Sequence, residues 1–300
     1  MTDLPIIIVS WNVRELLARC LTAIFAELNR AGLRGRVIVV DNASRDGSPE
    51  MVRTQFPQVE LIDSDQNLGF ARGNNVGLGR VQDSEFALLL NPDTEVQPGA
   101  IEILVAAARS RPGVAVATSQ LFYGDGAFQH SAFHFPGLSQ LYIDLFPVPG
   151  RLYESKLNGR YPRARYEAGE PFEIDHPLGA VMLLRGDAMR QVGLFDESFA
   201  LYCEEIDWAA RFKESGWRNL CVPAAEITHH EGRSTSQVKV ASFVKLWTAR
   251  HQLHVKHPQF APMALARLIV TQGMKRKMRV ADAEMRAACE QVIQVWNPKS

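Results

Sequence analysis

The chain has 300 residues, 46% hydrophobic and 22% charged, with 33 basic and 33 acidic side chains. This fits one or two soluble globular domains that need no metal or disulfide staples, and it excludes a disordered chain, a coiled coil and a disulfide scaffold. The four cysteines (Cys20, Cys203, Cys221, Cys289) are widely spaced, with no zinc pattern, no basic stretch opens the chain and no 18-residue apolar run occurs. A reducing, cytoplasmic location without signal peptide or membrane span is therefore expected.

The first third alternates strand and helix signals. Residues 5–10 (PIIIVS) are a continuous β-branched run, as in a strand buried on both faces. Residues 12–30 carry Leu16, Leu17, Cys20, Leu21, Ile24 and Leu28 at helical spacing, and Gly32 and Gly35 then break the chain. Residues 36–40 (RVIVV) form a second strand ending at Asp41. Ser48 reads as an N-cap with Pro49 at the first helical position, and the helix runs to residue 56. A short strand at 59–62, a helix at 73–81, a strand at 86–90 (FALLL), a helix at 98–109 and a strand at 114–118 follow. Such alternation implies a parallel sheet with helices on both faces.

Residues 123–171 are rich in Gly, Pro and aromatics and show no period, as in a long surface excursion that either covers a site or holds a satellite core. A strand-like run returns at 180–185, with helices at 186–192 and 204–215 and a strand-like piece at 227–228. Residues 232–281 hold ten basic residues, three histidines and no acid. The stretch reads as helical, with Met263, Leu265, Leu268, Ile269, Met274 and Met278 on or near one face. It leaves 23 basic against 33 acidic residues elsewhere.

Ligands of an open parallel sheet sit at the carboxyl ends of its strands. Here those ends carry Ser10-Trp11-Asn12, Asp41-Asn42-Ala43-Ser44, the stretch from Gln66 to Asn75, and Asn91-Pro92-Asp93. No GxGxxG follows the first strand and no GxxxxGK[ST] occurs, so dinucleotide and P-loop chemistry are disfavoured. Phosphate charge then calls for a divalent ion on a strand-end carboxylate, and Asp93 is the best placed. An Asx turn after Pro92 is the alternative reading of that residue.

The ordered segments IIIVSWN, VIVVDNAS, QNLGFARGNN, LLLNPD, GLFDESFALYCEEIDWAARFKESGW and THHEGRS resemble glycosyltransferase family 2. The similarity is greatest to bacterial rhamnosyltransferases and related polysaccharide-building enzymes, and it runs from about residue 5 to 236. The resemblance implies an α/β GT-A fold: a mostly parallel, Rossmann-like sheet with flanking helices, in a domain over 1–236. The donor half is then about 1–120 and the acceptor half about 121–236, with a basic helical extension over 237–300. It also implies an inverting, metal-dependent transfer from a dTDP- or UDP-sugar, L-rhamnose first, to a saccharide or lipid-linked saccharide.

Carried onto this sequence, Asp41 accepts from the donor base, and Ser10 and Asn12 line base and ribose. Asn67, Arg72 and Asn75 cover the nucleotide. The family's Asp-x-Asp is Asn91-Pro92-Asp93 here, so Asp93 is the direct ligand of Mn²⁺ or Mg²⁺ and Asn91 acts through water. His229 completes the metal site, with His230 as the fallback. The family's Glu-Asp-x-Asp is Glu204-Glu205-Ile206-Asp207, which puts Glu205 in the place of the catalytic base. Helical spacing sets Glu205 on a stripe with Trp208, Ala209 and Phe212, and sets Asp207 against Arg211 as an ion pair. His176, Gly179 and Glu204 are expected on the acceptor side.

The acid-free tail has two readings, a basic face packed on the acidic remainder and a surface resting on anionic lipid at the inner face of the plasma membrane. Nucleic acid is not an expected partner, because aromatics are sparse around 275–279, while a homodimer is allowed. A nucleotidyltransferase would need a glycine-rich basic loop in place of Ser10-Trp11-Asn12-Val13-Arg14. A nucleotide-sugar-binding module without turnover is the remaining alternative.

Overall fold

The computed structural model describes residues 4–199, 201–230 and 239–298. Seven elements alternate at the start: β1 (Leu4–Ser10), α1 (Arg14–Ala31), β2 (Gly35–Asp41), α2 (Ser48–Gln55), β3 (Glu60–Asp63), α3 (Gly69–Leu78) and β4 (Phe86–Leu90). Next come β5 (Thr94–Val96), α4 (Ala100–Arg109) and β6 (Val114–Phe122). The excursion is folded, with β7 (Phe128–Gln129), β8 (Ala132–Phe133), α5 (Leu138–Leu145) and α6 (Arg163–Glu167), and β9 (Phe172–Ile174) and β10 (His176–Pro177) follow it. Then follow β11 (Val181–Arg185), α7 (Gly186–Val192), α8 (Glu204–Glu214), β12 (Arg218–His229), α9 (Lys239–Lys256), α10 (Met263–Met278) and α11 (Ala283–Trp296).

The main path of the central sheet runs β3-β2-β1-β4-β11-β6-β12-β5. Its first four strands are parallel. The parallel run ends at β11, which runs antiparallel to both β4 and β6. Every residue of β11 is buried, so its sequence carries no alternation. The reversal has a consequence for the site. It brings the residues before β11 to the edge where β4 ends, and the Asn91 N–H donates to Ala180 O at 2.9 Å.

Helices cover both faces of the sheet. Ile6 and Ile8 pack with Leu17, Leu21, Ile24 and Leu104 on one side, while Ile7 packs with Leu78, Trp208 and Phe212 on the other. Helix α3 lies close on β1 because two glycines face it. A Cβ on Gly77 would stand 2.5 Å from Ile7 Cγ2, and one on Gly73 would stand 2.9 Å from Val9 Cγ1.

Three local expectations change. Gly47, not Ser48, is the N-cap of α2, and Asp46 Oδ1 accepts from the Ser48 N–H and hydroxyl at 3.0 and 2.6 Å. Helix α3 begins four residues earlier than the period suggests, at Gly69. In α10 the buried stripe is Ala266, Val270, Gly273 and Met274, while Leu265 and Leu268 are exposed.

Helices α9–α11 and α5 share a separate core that includes Leu141, Leu145, Trp247, Val270, Val292 and Trp296. Excursion aromatics form a smaller cluster around Tyr166 and Phe172. The end of the THHEGRS motif, the expected boundary at 236/237, and Ala200 and Arg233 lie outside the described residues.

Candidate active site

Adjacent strands place Ser10 and Asp41 in register at the carboxyl ends of β1 and β2. Both are fully buried. Asp41 Oδ1 accepts from the Ser44 N–H at 2.7 Å, but Asp41 Oδ2 and Ser10 Oγ have no protein partner. Burial raises the Asp41 pKa, and the Ser44 hydrogen bonds offset only part of that rise. A buried acceptor without a donor costs free energy unless a ligand N–H supplies one. Asn12 pins the neighbouring turn: its N–H donates to Ser44 Oγ at 2.9 Å, and its Oδ1 accepts from the Arg45 N–H at 2.8 Å. Asn12 and Ala43 both hold left-handed backbone there, with φ of 52° and 61°.

The 66–75 stretch is tied to this edge through Asn42, whose amide donates to Gly69 O at 3.1 Å. Asn67 and Arg72 are exposed above it. Asn75 does not join them. Its amide bonds the loop after α7, donating to Phe195 O and Glu197 Oε1 at 3.0 Å and accepting from the Phe195 N–H at 3.1 Å. Its four-residue spacing from Ala71 turns it toward that loop, a contact the sequence motif does not reveal.

At the next edge, β5 pairs with the end of β12, so Asp93 meets His229. His229 Nε2 lies 3.3 Å from Asp93 Oδ1, and both side chains are nearly buried. His229 Nδ1 lies 3.2 Å from Gln129 Oε1. A carbonyl oxygen can only accept, so Nδ1 donates to Gln129 and leaves Nε2 facing the carboxylate. A divalent ion between Nε2 and Oδ1 would be ligated by both, and a second partner orienting the far ring nitrogen is the usual support of a metal-ligating histidine. The donor set thus fits a hard divalent ion whose other positions are left to water or phosphate oxygens. Among the described residues no cluster of three or more His, Cys, Asp or Glu side chains is arranged to hold a metal. His230 is engaged elsewhere, 2.7 Å from Glu95 Oε1. Asn91 anchors the turn through its backbone oxygen, which accepts from the Thr94 hydroxyl at 2.8 Å.

Helix α8 opens with three carboxylates in different surroundings. Asp207 is fully buried, and Arg211 Nε donates to its Oδ2 at 2.9 Å, the ion pair expected from the spacing. Glu204 is buried with Oε2 unpartnered, and burial first and then the neighbouring Glu205 charge push its pKa well up. Glu205 is half-buried, and burial pushes its pKa up to about 7. A Cβ on Gly179 would lie 3.7 Å from Glu205 Cγ and 3.8 Å from Phe70 Cζ, so the glycine step opens directly onto this carboxylate. The two residues before α8, Tyr202 and Cys203, hold φ of 72° and 68°. Successive non-glycine residues in this region are unusual and set the entry of the helix.

Glu205 lines a cavity of about 260 Å³. The excursion contributes Phe133 and Arg160, β10 contributes His176, and α9 contributes Leu246, Arg250 and His254. His176 is buried between Phe133 and Phe135, and burial pushes its pKa down to about 4, so it is neutral at pH 7. Sequence reasoning missed Gln129, Phe70 and the α9 residues. Gln129 and the α9 residues lie far along the chain from the motifs they serve, and only QNLGFARGNN, which contains Phe70, marked one of them.

A family model described as glycosyl transferase family 2 matches residues 6–183. The chain belongs to glycosyl transferase family 2. Over 256 residues it is 28% identical to the N-acetylglucosaminyl-diphospho-decaprenol L-rhamnosyltransferase of Mycobacterium tuberculosis, covering 79% of each chain. It is also 28% identical over 177 residues to the rhamnosyltransferase WbbL of Escherichia coli, covering 55% of this chain and 63% of that one. Among solved structures, GalNAc-T7 with UDP, GalNAc and Mn²⁺ superposes with a TM-score of 0.62 at 13% identity, covering 99% of this chain and 56% of that one. The mannosyltransferase PcManGT of Pyrobaculum calidifontis, in complex with GDP-Man and Mn²⁺, gives 0.53 at 15% identity, over 97% and 69%. These likenesses identify the fold of the family 2 chain as GT-A. No helix among its described residues is long and apolar enough to cross a membrane.

Proposed function

We propose that this glycosyltransferase moves a sugar from a dTDP- or UDP-linked donor, with inversion, to a hydroxyl of a saccharide or lipid-linked saccharide in polysaccharide synthesis. L-Rhamnose is the first donor sugar to test, on the strength of the rhamnosyltransferase relatives. The observation that carries this reading is Glu205, a carboxylate with raised pKa that lines a cavity beside Gly179.

In this reading Asp41 Oδ2 and Ser10 Oγ take the polar edge of the base, and an imide N–H suits the unpaired carboxylate oxygen. Arg72 is free to reach the diphosphate. Asp93 and His229 would hold a divalent ion, whose chemistry when bound is to neutralise the departing nucleoside diphosphate. Glu205 orients the acceptor hydroxyl and takes its proton as that oxygen attacks the anomeric carbon. His176, Phe133 and Gly179 shape the acceptor wall, with Glu204 behind it.

The test is turnover. The intact protein, Mn²⁺, a dTDP- or UDP-sugar and a lipid-linked saccharide should release free nucleoside diphosphate, and Glu205→Gln should bind donor without doing so. Donor binding without turnover in the wild type, across acceptors, would establish the binding-module alternative instead.

A further inference from the structure

The exposed large apolar side chains of the described residues are unevenly distributed. Tyr123, Tyr142, Tyr153 and Leu157 lie in the excursion, and Val255, Leu265, Leu268 and Val280 lie in the extension. These two segments form one structural unit, because α5 and α10 share a core in which Leu145 packs under Gly273. On α10, Leu265, Leu268, Gln272, Lys275 and Arg279 recur at three- and four-residue spacing and are all exposed. This stripe is opposite the buried Ala266, Val270 and Met274. Leu268 is 56% exposed and Val280, just past the helix, is 90% exposed.

The charge on this unit has one sign. Residues 239–281 contain nine basic residues and no acid, and the extension's acids, Asp282, Glu284 and Glu290, come only with α11. Three of the basic groups are accounted for internally: Arg250 pairs with Asp144, Lys256 with Asp196 and Asp207, and Arg276 donates to Leu145 O. Lys275 and Arg279 are exposed, with no carboxylate within ion-pair distance among the described residues.

We propose that the face formed by the exposed stripe of α10, with Val280 just past it, docks on an anionic lipid bilayer. Isolated leucines on a basic helix face match the chemistry of the interface, where apolar side chains enter the acyl boundary and cations meet headgroup phosphates. A second copy of the chain would bring two basic faces together, and duplex nucleic acid would leave the leucines unused.

Helix α10 packs on α5, and α5 turns Leu141 and Asp144 to the cavity that Glu205 lines. A bilayer under α10 therefore lies one helix away from the wall of that cavity. Lipid docking by this surface does not depend on sugar transfer.

The experiment is sedimentation of the full chain with vesicles of phosphatidylcholine alone and of phosphatidylcholine with phosphatidylglycerol, at low and high salt. The wild type should pellet with the anionic vesicles only, and less so at high salt. Lys275→Gln/Arg279→Gln should weaken that binding about 25-fold, at about fivefold per cation. Leu265→Ser/Leu268→Ser should weaken it at least about tenfold. Melting temperatures and nucleotide-induced shifts equal to wild type would show that fold and donor site are intact in both variants. Failure of the wild type to pellet overturns the proposal, as does undiminished binding by both variants. A lipid-free dimer that the leucine variant dissolves would also overturn it, by assigning the face to a second copy.

Discussion

Asp207 and His257 meet in the interior, with Asp207 Oδ1 accepting from His257 Nε2 at 2.8 Å. The contact joins the helix that carries Glu205 to the turn between α9 and α10. Lys256 Nζ lies 2.8 Å from the same oxygen, and Arg211 takes the other. Burial alone would raise the Asp207 pKa, but the hydrogen bonds from His257 and Lys256 outweigh it and hold the pKa below the usual carboxylate value.

Removing a buried acid from three partners leaves them uncompensated, so Asp207→Ala should cost about 3–5 kcal/mol. A differential melting scan should show Tm lower by several degrees. The lowered pKa also fixes the pH response. The clamp's contribution is complete above the unfolded carboxylate pKa and is lost as pH falls through the lower folded value. Acid titration of the wild type should show this loss, and Asp207→Ala should lack it.

Glu205→Gln should leave nucleotide binding intact and lower turnover about 10²- to 10⁴-fold, the usual range for a general base. With a pKa near 7, kcat/KM of the wild type should fall tenfold per pH unit below about 7. A flat profile between pH 5 and 8 would remove Glu205 from the base role.

Glu204 predicts the opposite stability trend to Asp207. Its folded pKa is raised, so its contribution to stability declines as pH rises from the unfolded carboxylate pKa toward the folded value. Glu204→Gln keeps the shape without the buried charge. It should melt higher than wild type at neutral and alkaline pH and equal to it near pH 4, as read by thermal scans across pH.

Asp93→Asn and His229→Ala test the cation site. In the wild type, UDP or dTDP should raise the melting temperature more with Mn²⁺ than without. A ligand at about 100 times its Kd adds roughly 2.7 kcal/mol, an easily read shift. Both variants should lose the Mn²⁺-dependent part. Gln129→Leu should weaken it, because His229 then lacks the partner that fixes its tautomer.

The parallel half of the sheet was legible because Ile6–Ile8 and Val37–Val40 are continuous apolar runs between turn signals, and because polar residues follow each strand. The direction of β11 was not, since a strand buried on both faces looks the same in either sense. Strand β12 was seen only at its end. Pro223 and the register shift between Val222 and Glu226 interrupt its pattern, although the strand spans Arg218–His229. On α10 the leucines and the buried small residues both recur at helical spacing, and apolarity alone favoured the wrong side. At the site, Asp41, Asp93, Glu205 and His229 were marked by motifs. The partners that give them their chemistry, Gln129 and the α9 wall, are fixed only by long-range packing.

The backbone of Tyr202 and Cys203 carries a consequence for engineering. Both residues line the cavity and both sit where glycine would be more comfortable, at about 1 kcal/mol or more each. Cys203 also packs with Phe199, Ala249 and Leu253, and Tyr202 lies against them, so glycine at either position would relieve backbone and lose packing together. A laboratory selection for heat resistance alone should therefore leave both residues in place, and the wall beside Glu205 would survive it unchanged.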